Sequence, residues 1–379
     1  MSKKQNWTVI SLFLVMIFGL TVATLLKPDS EFSEKENRVL AQKPKLAVDS
    51  YFSGEFSKDY ETYMTDQFLF RDQWIQMKTA VERASLKQEI KGIYFAQDGY
   101  LIEKHEDSFQ SATASNNIQH LARFMEEVQG EYGDGHVTAM VVPNAVEILK
   151  DKLPPLAPDS KEGEYLEYIA DALPAGTWFD AADILNQHKE EEIYYRTDHH
   201  WKTLGAYYTY EAWAKSVGLS PLKKEEYEVE TVTNNFLGTI EAKVGTQVQA
   251  DSIQIFRPKE EEKYTISYNR SEEKKTELYD WSYLETKDQY SIFFGGNQPL
   301  VEDKIDNGSA RRLLVIKDSY AHCFLPFTFH DFSQVDFVDL RYFNESLREY
   351  REKGNYTDIL FLYNASGFAE DPNVVKLGN

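Results

Sequence analysis

A parallel α/β sheet flanked by helices is the fold class this sequence predicts, and three observations predict it. Residues 137–142 (VTAMVV) form an almost unbroken apolar run that stops at Pro143-Asn144. Residues 313–316 (LLVI) form a second, which stops at Lys317-Asp318-Ser319. Residues 335–338 and 359–363 supply two further strand candidates, with a helical stretch near 344–353 between them. Strands buried on both faces read as continuous apolar runs, and their alternation with helices places the functional loops at the strand carboxyl ends.

From the amino terminus, residues 7–26 (WTVISLFLVMIFGLTVATLL) carry no charge. Twenty residues at ~1.5 Å each give ~30 Å, the thickness of a bilayer's hydrocarbon core. The hydroxyls of Thr8, Ser11, Thr21 and Thr24 can bond back to helix carbonyls, Trp7 suits the interface, and Lys3, Lys4 and Lys27 bracket the span. The run is longer than the apolar core of a cleaved signal peptide, and Val22-Ala23-Thr24-Leu25-Leu26 lacks a small-x-small cleavage site. We expect a retained single-pass anchor. Lys27, Lys35, Arg38, Lys43 and Lys45 outnumber the basic residues of the tail, so charge counting alone does not orient it. A short tail before a large trailing domain is the form of a signal-anchor that exports its carboxyl-terminal part.

Residues 27–48 read as a polar linker with Pro28 and Pro44. Over 51–86, Tyr51, Phe52, Phe56, Tyr60, Tyr63, Phe68, Phe70, Trp74, Ile75 and Val81 recur mostly at three- and four-residue spacing, predicting one long or broken amphipathic helix. Short strands at 90–95 and 100–102 join through Asp98-Gly99, and 118–128 is helical by period. Residues 225–294, charged and rich in Thr and Tyr, read as an inserted β-rich subregion, and 321–329 as helical, with Pro326 able to break it early. The expected organisation is a tail and anchor at 1–27, a linker and helical region at 28–90, and a main domain at 91–379 with its insertion near 225–294.

The 379 residues are 42% apolar and 14% aromatic, enough for a sizeable core. With 62 acidic against 41 basic side chains the formal charge is −21, which disfavours nucleic acid and anionic membrane as broad-surface partners. One cysteine excludes an internal disulfide framework and any cysteine-clustered metal site.

Two short segments can carry chemistry. In Arg196-Thr197-Asp198-His199-His200-Trp201, an aspartate two residues before a histidine can fix the imidazole's tautomer and stabilise its cation. In Ile316-Lys317-Asp318-Ser319-Tyr320, a serine at a strand end can raise its Oγ over a helix start, where backbone N–H groups stabilise an oxyanion. A serine hydroxyl needs a base at neutral pH. A hydrogen-bonded turn capped by Asp198 or Thr203 is the competing reading of the first segment. A metal is not expected, because adjacent histidines converge poorly on one ion and the other histidines show no ligand spacing. Cys323 is expected to pack in the core.

Together these phrases resemble the bacterial DHHW family, named for the tetrad Asp198-His199-His200-Trp201, which is similar to the SGNH-hydrolase-like domains of alginate and exopolysaccharide O-acetyltransferases. The resemblance spans nearly all of the chain after the anchor. It includes Glu36-Asn37-Arg38, Asp66-Gln67-Phe68-Leu69-Phe70-Arg71, Val142-Pro143-Asn144 and Lys152-Leu153-Pro154, then Tyr195-Arg196-Thr197 before the tetrad and Gly205-Ala206-Tyr207 after it. Asn235-Phe236-Leu237-Gly238-Thr239, Gly295-Gly296-Asn297, Lys317-Asp318-Ser319-Tyr320 and Asp339-Leu340-Arg341-Tyr342-Phe343 complete it. The family's Asp-x-His-Trp motif falls on Asp198, His200 and Trp201, and its serine motif on Lys317-Asp318-Ser319, where Lys317 replaces the usual glycine.

The resemblance implies an SGNH-hydrolase-like fold and a catalytic set of Ser319 as nucleophile, His200 as base and Asp198 as its orienting carboxylate, without a cofactor. Trp201 is expected to pack and seat the loop, with sugar stacking as the lesser role, and His199 to be structural. Asn144 and Asn297 are each candidates for an oxyanion amide, and Arg341 for contact with an anionic glycan or the oxyanion, or for a salt bridge. The implied function is a membrane-anchored, extracytoplasmic O-acyltransferase of a cell-surface polysaccharide, with acyl groups delivered by a polytopic membrane-bound O-acyltransferase. An acetyl esterase with the same triad and an inert glycan-binding scaffold are the alternatives.

Overall fold

The computed structural model describes residues 3–33, 38–105, 107–246, 248–260 and 262–378, so Glu36 and Asn37 of the 36–38 phrase lie outside the described residues. The chain divides into two units, one of residues 1–87 with 242–247 and the other of 88–241 with 248–379.

In the first unit, α1 (Lys3–Leu26) is a single apolar helix, long enough to cross a membrane and exposed along almost its whole length. The aromatic stretch after it is broken into Val48–Ser53, α2 (Glu55–Asp66) and α3 (Arg71–Ala84). Gly54 at φ +83° ends the first piece, and Phe70 at φ +58° separates α2 from α3, since a left-handed residue cannot continue a right-handed helix. The polar segment before them is pinned. Arg38 makes a two-toothed ion pair with Asp66 at 2.9 and 2.6 Å, and the Ala41 N–H donates to the same carboxylate at 2.9 Å. These bonds outweigh its burial and hold the Asp66 carboxyl below the usual range. Gln67 bonds the N–H and carbonyl of Ser30 and the carbonyl of Ala41, so two phrases of the sequence close one clasp.

The second unit is built on a six-stranded sheet. Its strands, in chain order, are β1 (Val137–Val142), β4 (Tyr264–Tyr268), β5 (Leu300–Ile305), β6 (Arg312–Lys317), β7 (Gln334–Val338) and β8 (Asp358–Asn364). Between β1 and β4 a separate antiparallel ribbon pairs β2 (Tyr227–Phe236) with β3 (Asp251–Pro258). The spatial order is β1-β8-β6-β7-β5-β4. The first four strands are mutually parallel, and β5 and β4 run antiparallel at the edge. Side chains alternate across β6 and β8. Leu313, Val315, Leu360 and Leu362 pack on one face with Tyr210 and Trp213 of α4 (Thr203–Ser216). Leu314, Ile316, Ile359 and Phe361 pack on the other with Leu121 and Phe124 of the helix Ala112–Tyr132 and with Phe368. Each fully buried aliphatic or Phe side chain contributes about 1.5–3 kcal/mol, which fixes the register.

All four strands predicted for the main sheet are present, and the short strand predicted over 90–95 is split into Glu89–Ile90 and Ile93–Phe95, followed by Leu101–Glu103. β5 escaped the sequence pattern because Glu302, Asp303 and Lys304 interrupt its apolar residues. The expected inserted subregion is only partly separate, since β4 joins the main sheet at its edge. Residues 319–328 form a 3₁₀ turn (Ser319–Cys323) and a short helix (Leu325–Thr328), with Pro326 in the first turn of that helix, where its missing N–H costs nothing.

Candidate active site

The carboxyl ends of the four parallel strands deliver Asn144 after β1, Asn364 from β8, Asp318 and Ser319 after β6, and Asp339 and Arg341 after β7. Open parallel sheets bind ligands at this edge.

The histidine loop is built by backbone bonds to one buried carboxylate. Asp251 accepts from the Arg196 N–H at 3.0 Å, the Thr197 N–H at 2.9 Å and the Thr197 hydroxyl at 2.7 Å. A bridge between Tyr194 and Trp201 closes the loop. Within it, His200 Nδ1 lies 2.6 Å from Asp198 Oδ1. The same oxygen accepts the His200 N–H at 3.1 Å, and Oδ2 accepts the Thr239 N–H at 2.8 Å and hydroxyl at 3.1 Å. Burial pushes the Asp198 carboxyl upward, but the charges of His199 and His200 and these hydrogen bonds outweigh it and hold it well below the usual range. Asp198 is therefore an anion throughout the physiological range. The ribbon can approach this closely because residue 238 is glycine: a Cβ there would lie 2.2 Å from Asp198 Cβ.

On the other side, His200 Nε2 lies 2.8 Å from Ser319 Oγ. His200 and Ser319, 119 residues apart in the chain, thus meet in one hydrogen-bonded line with Asp198. Ser319 stands at the first position of its 3₁₀ turn, where a helix leaves N–H groups without carbonyl partners of its own. Asp318 caps the turn: Oδ1 accepts the Tyr320 N–H at 2.9 Å and Oδ2 the Asn364 N–H at 2.9 Å. Lys317, where glycine is usual, is the last residue of β6 and does not enter the turn. Its fully buried Nζ reaches His322 Nε2 at 2.7 Å and Asp339 Oδ2 at 3.5 Å. Burial pushes the Lys317 ammonium down to about 8 and holds His322 well below the usual imidazole range, so His322 accepts while Lys317 donates.

The remaining sequence candidates divide. Trp201 is fully buried, stacks on Tyr320 and Phe324, and donates its indole N–H to the Tyr320 carbonyl at 2.8 Å. It seats the histidine loop on the serine turn and is closed to a sugar. The Asn144 amide is also buried, donating to Asn364 at 3.3 Å and Tyr320 at 3.4 Å and accepting the Ser366 N–H at 3.0 Å. Asn297 is exposed, and its carbonyl accepts from Arg341 at 3.1 Å. Arg341 makes the salt bridge, gripping Asp339 at 2.8 and 2.6 Å. Neither Asn297 nor Arg341 hydrogen-bonds a triad member among the described residues. His199 bonds Thr239 Oγ1 at 2.9 Å, and Cys323 is buried with its thiol pushed up to about 12 by burial.

Three contributors were not site candidates from the sequence, although Thr239 stands inside the 235–239 phrase. Thr239 and Asp251 are distant in sequence from the residues they hold. Tyr290, fully buried, stacks on the His200 ring at 3.9 Å and 17° and donates its hydroxyl to the Ser319 carbonyl at 3.2 Å. One side chain thus touches both base and nucleophile. Asp198, His199 and His200 also place ligand atoms within 4.8 Å of one another. Those atoms are already engaged by Ser319, Thr239 and each other, so the donor set suits proton transfer better than ion binding.

Among solved structures, a DHHW family protein from Eubacterium siraeum is 24% identical, with TM-score 0.64 over 77% of this chain and 96% of that one. PatB1 of Bacillus cereus, determined with a sulfonyl adduct, is 20% identical, with TM-score 0.60 over 76% and 99%. A second structure of PatB1 superposes with TM-score 0.59 at 19% identity over 74% of this chain and 97% of that one. No curated protein sequence matches. These likenesses place the fold among the SGNH-like α/β folds expected from the sequence. The DHHW protein family model matches residues 96–338, more than half of the chain and inclusive of both the tetrad and Ser319, and the protein therefore belongs to the DHHW family.

Proposed function

We propose that this protein is a membrane-anchored, extracytoplasmic O-acyltransferase, acting on a cell-surface polysaccharide through an acyl-enzyme on Ser319. The observation that carries the reading is the unbroken line from Asp198 through His200 to Ser319, at 2.6 and 2.8 Å. Ser319 Oγ attacks the acyl carbonyl as its proton passes to His200 Nε2. His200 returns that proton to the leaving oxygen, and the acyl group remains as an ester on Ser319. A sugar hydroxyl then attacks the ester, giving its proton to His200, and Ser319 is restored with that proton. Asp198, held as an anion, keeps His200 in the tautomer with Nδ1 protonated and stabilises the transient imidazolium. The Ser319 N–H is a donor for the oxyanion.

The family resemblance supports acetyl as the acyl group and a polytopic membrane-bound O-acyltransferase as donor partner. The length and apolar composition of α1 support the anchor, and because a single helix cannot itself carry acyl groups across a bilayer, the reading needs that donor partner. The test uses an acetyl ester probe with and without an acceptor glycan. Ser319→Ala and His200→Ala are each expected to lower acyl release by at least about 10²–10⁴-fold with the fold intact. Near-normal turnover in both variants overturns the triad. Acetyl recovered on the glycan marks a transferase, and free acetate alone an esterase.

A further inference from the structure

Helix α3 presents an apolar stripe to solvent. Trp74, Met77 and Val81, spaced three and four apart, fall within an arc of roughly 60° at about 100° per residue, and Phe70, the left-handed residue that leads into the helix, stands exposed ahead of them. Phe70, Trp74, Met77 and Val81 are 59%, 38%, 51% and 61% exposed. The opposite face is spoken for: Thr79 is buried, and its hydroxyl donates to the Val244 carbonyl at 2.6 Å. The stripe is thus not the core side of the helix, and four large apolar groups in a row are more than scattered surface residues.

The structure also says what lies beside it. The Leu69 N–H, immediately before the stripe, donates to Thr24 Oγ1 at 3.2 Å. Thr24 lies two residues from the end of the apolar span Lys4–Leu26, at the level of the membrane–water interface if that span crosses a bilayer. We propose that the Phe70–Trp74–Met77–Val81 face of α3 lies in the lipid interface, sunk at the boundary of headgroups and acyl chains beside the end of α1. The inference rests on the anchor reading of α1. A helix rising away from the bilayer would need apolar groups only in its first turn, whereas this stripe continues to Val81, about 17 Å along the helix. Exposed Lys78 flanks the stripe, where its ammonium can reach the headgroups. Attachment comes from apolar insertion and not from charge, which accords with a chain of net charge −21.

The test places a bimane probe on the full chain in phosphatidylcholine–phosphatidylglycerol vesicles containing brominated lipid. The probe goes on Met77→Cys or Val81→Cys, and on Gln76→Cys as an exposed position off the stripe; the native Cys323 is buried. Bromine is expected to quench the probe at 77 and 81 at least about twofold more than at 76, with little change at high salt. Equal quenching at the three sites in chains that resist alkaline extraction overturns the stripe and leaves the anchor standing. Chains extracted by alkali overturn the anchor, and the inference with it. Shielding of 77 and 81 from an impermeant maleimide in native membranes, without bromine quenching in vesicles, assigns the face to a protein partner and overturns lipid contact.

Discussion

Replacing Asp198 with Asn changes one oxygen to an amide and leaves the volume almost unaltered, so it isolates the charge and the tautomer. Asp198 Oδ2 accepts two bonds from Thr239, at 2.8 and 3.1 Å, and Oδ1 accepts from His200 Nδ1 at 2.6 Å. Asparagine has one acceptor oxygen. If it stays on Thr239, the NH₂ faces His200 Nδ1 and stabilises the tautomer protonated at Nε2. That proton then points at Ser319 Oγ, 2.8 Å away, and His200 cannot take the serine proton. General-base catalysis is worth about 10²–10⁴-fold, which at 1.36 kcal/mol per tenfold is about 3–5 kcal/mol of barrier. The assay is kcat/KM for an acetyl ester, with thermal unfolding as the check on fold. Thr239→Val grades the effect: it removes the hydroxyl's bonds to Asp198 and His199 and keeps the backbone N–H to Asp198, and with the Asp198 bond worth about 1 kcal/mol a loss of only several-fold is expected. A folded Asp198→Asn protein within about tenfold of the parent would refute the reasoning, because no such small effect follows from a reversed tautomer.

Tyr290→Phe keeps the ring on His200 and loses the bond to the Ser319 carbonyl, so kcat is expected to fall by about 2–10-fold with KM unchanged. Tyr290→Leu also loses the stack and is expected to lower kcat further, and equal kcat in the two variants would separate Tyr290 from His200 placement. Glu162 is fully buried and accepts the Asn144 N–H at 2.5 Å. Burial, more than the neighbouring Glu147, pushes its carboxyl from 4.5 up to about 8. The folded state therefore binds the proton more tightly than the unfolded one, so this group's stabilisation is complete below about pH 4.5 and is lost as pH rises to about 8. Glu162→Gln is expected to remove that decline, gaining up to about 5 kcal/mol at pH 8 relative to pH 4 in denaturant unfolding; parallel pH profiles would refute it.

The four parallel strands could be read because each is buried on both faces and so spells itself in apolar residues. β5 could not, because although it pairs on both sides, with β7 and β4, one of its faces is partly open, and there Glu302 and Lys304 are tolerated. Asp198, His200 and Ser319 were legible as motifs, and the structure brings those three groups into hydrogen-bond reach. What places them was not legible: Asp251 and Tyr290 act through contacts across 54 and 29 residues of chain, and Thr239, though inside the 235–239 phrase, shows its role only through its bonds to Asp198, 41 residues away. Gly238 stood inside a quoted phrase, yet its reason is steric, the closeness of Asp198. Trp201 stood beside the histidine, but only burial shows that its ring faces inward.

The order of strands has a consequence for synthesis. β8 follows the other five strands of its sheet in the chain, yet it lies between β1 and β6. Until residues 358–364 emerge, the two strands that carry Asn144 and Ser319 have no common neighbour, and the Asp318 cap lacks the Asn364 N–H. A chain truncated just before β8 keeps every motif residue from 196 to 341 and still lacks the strand that joins β1 to β6. The sheet edge that seats Ser319 beside Asn144 is therefore complete only when β8 has slotted into the middle of the sheet.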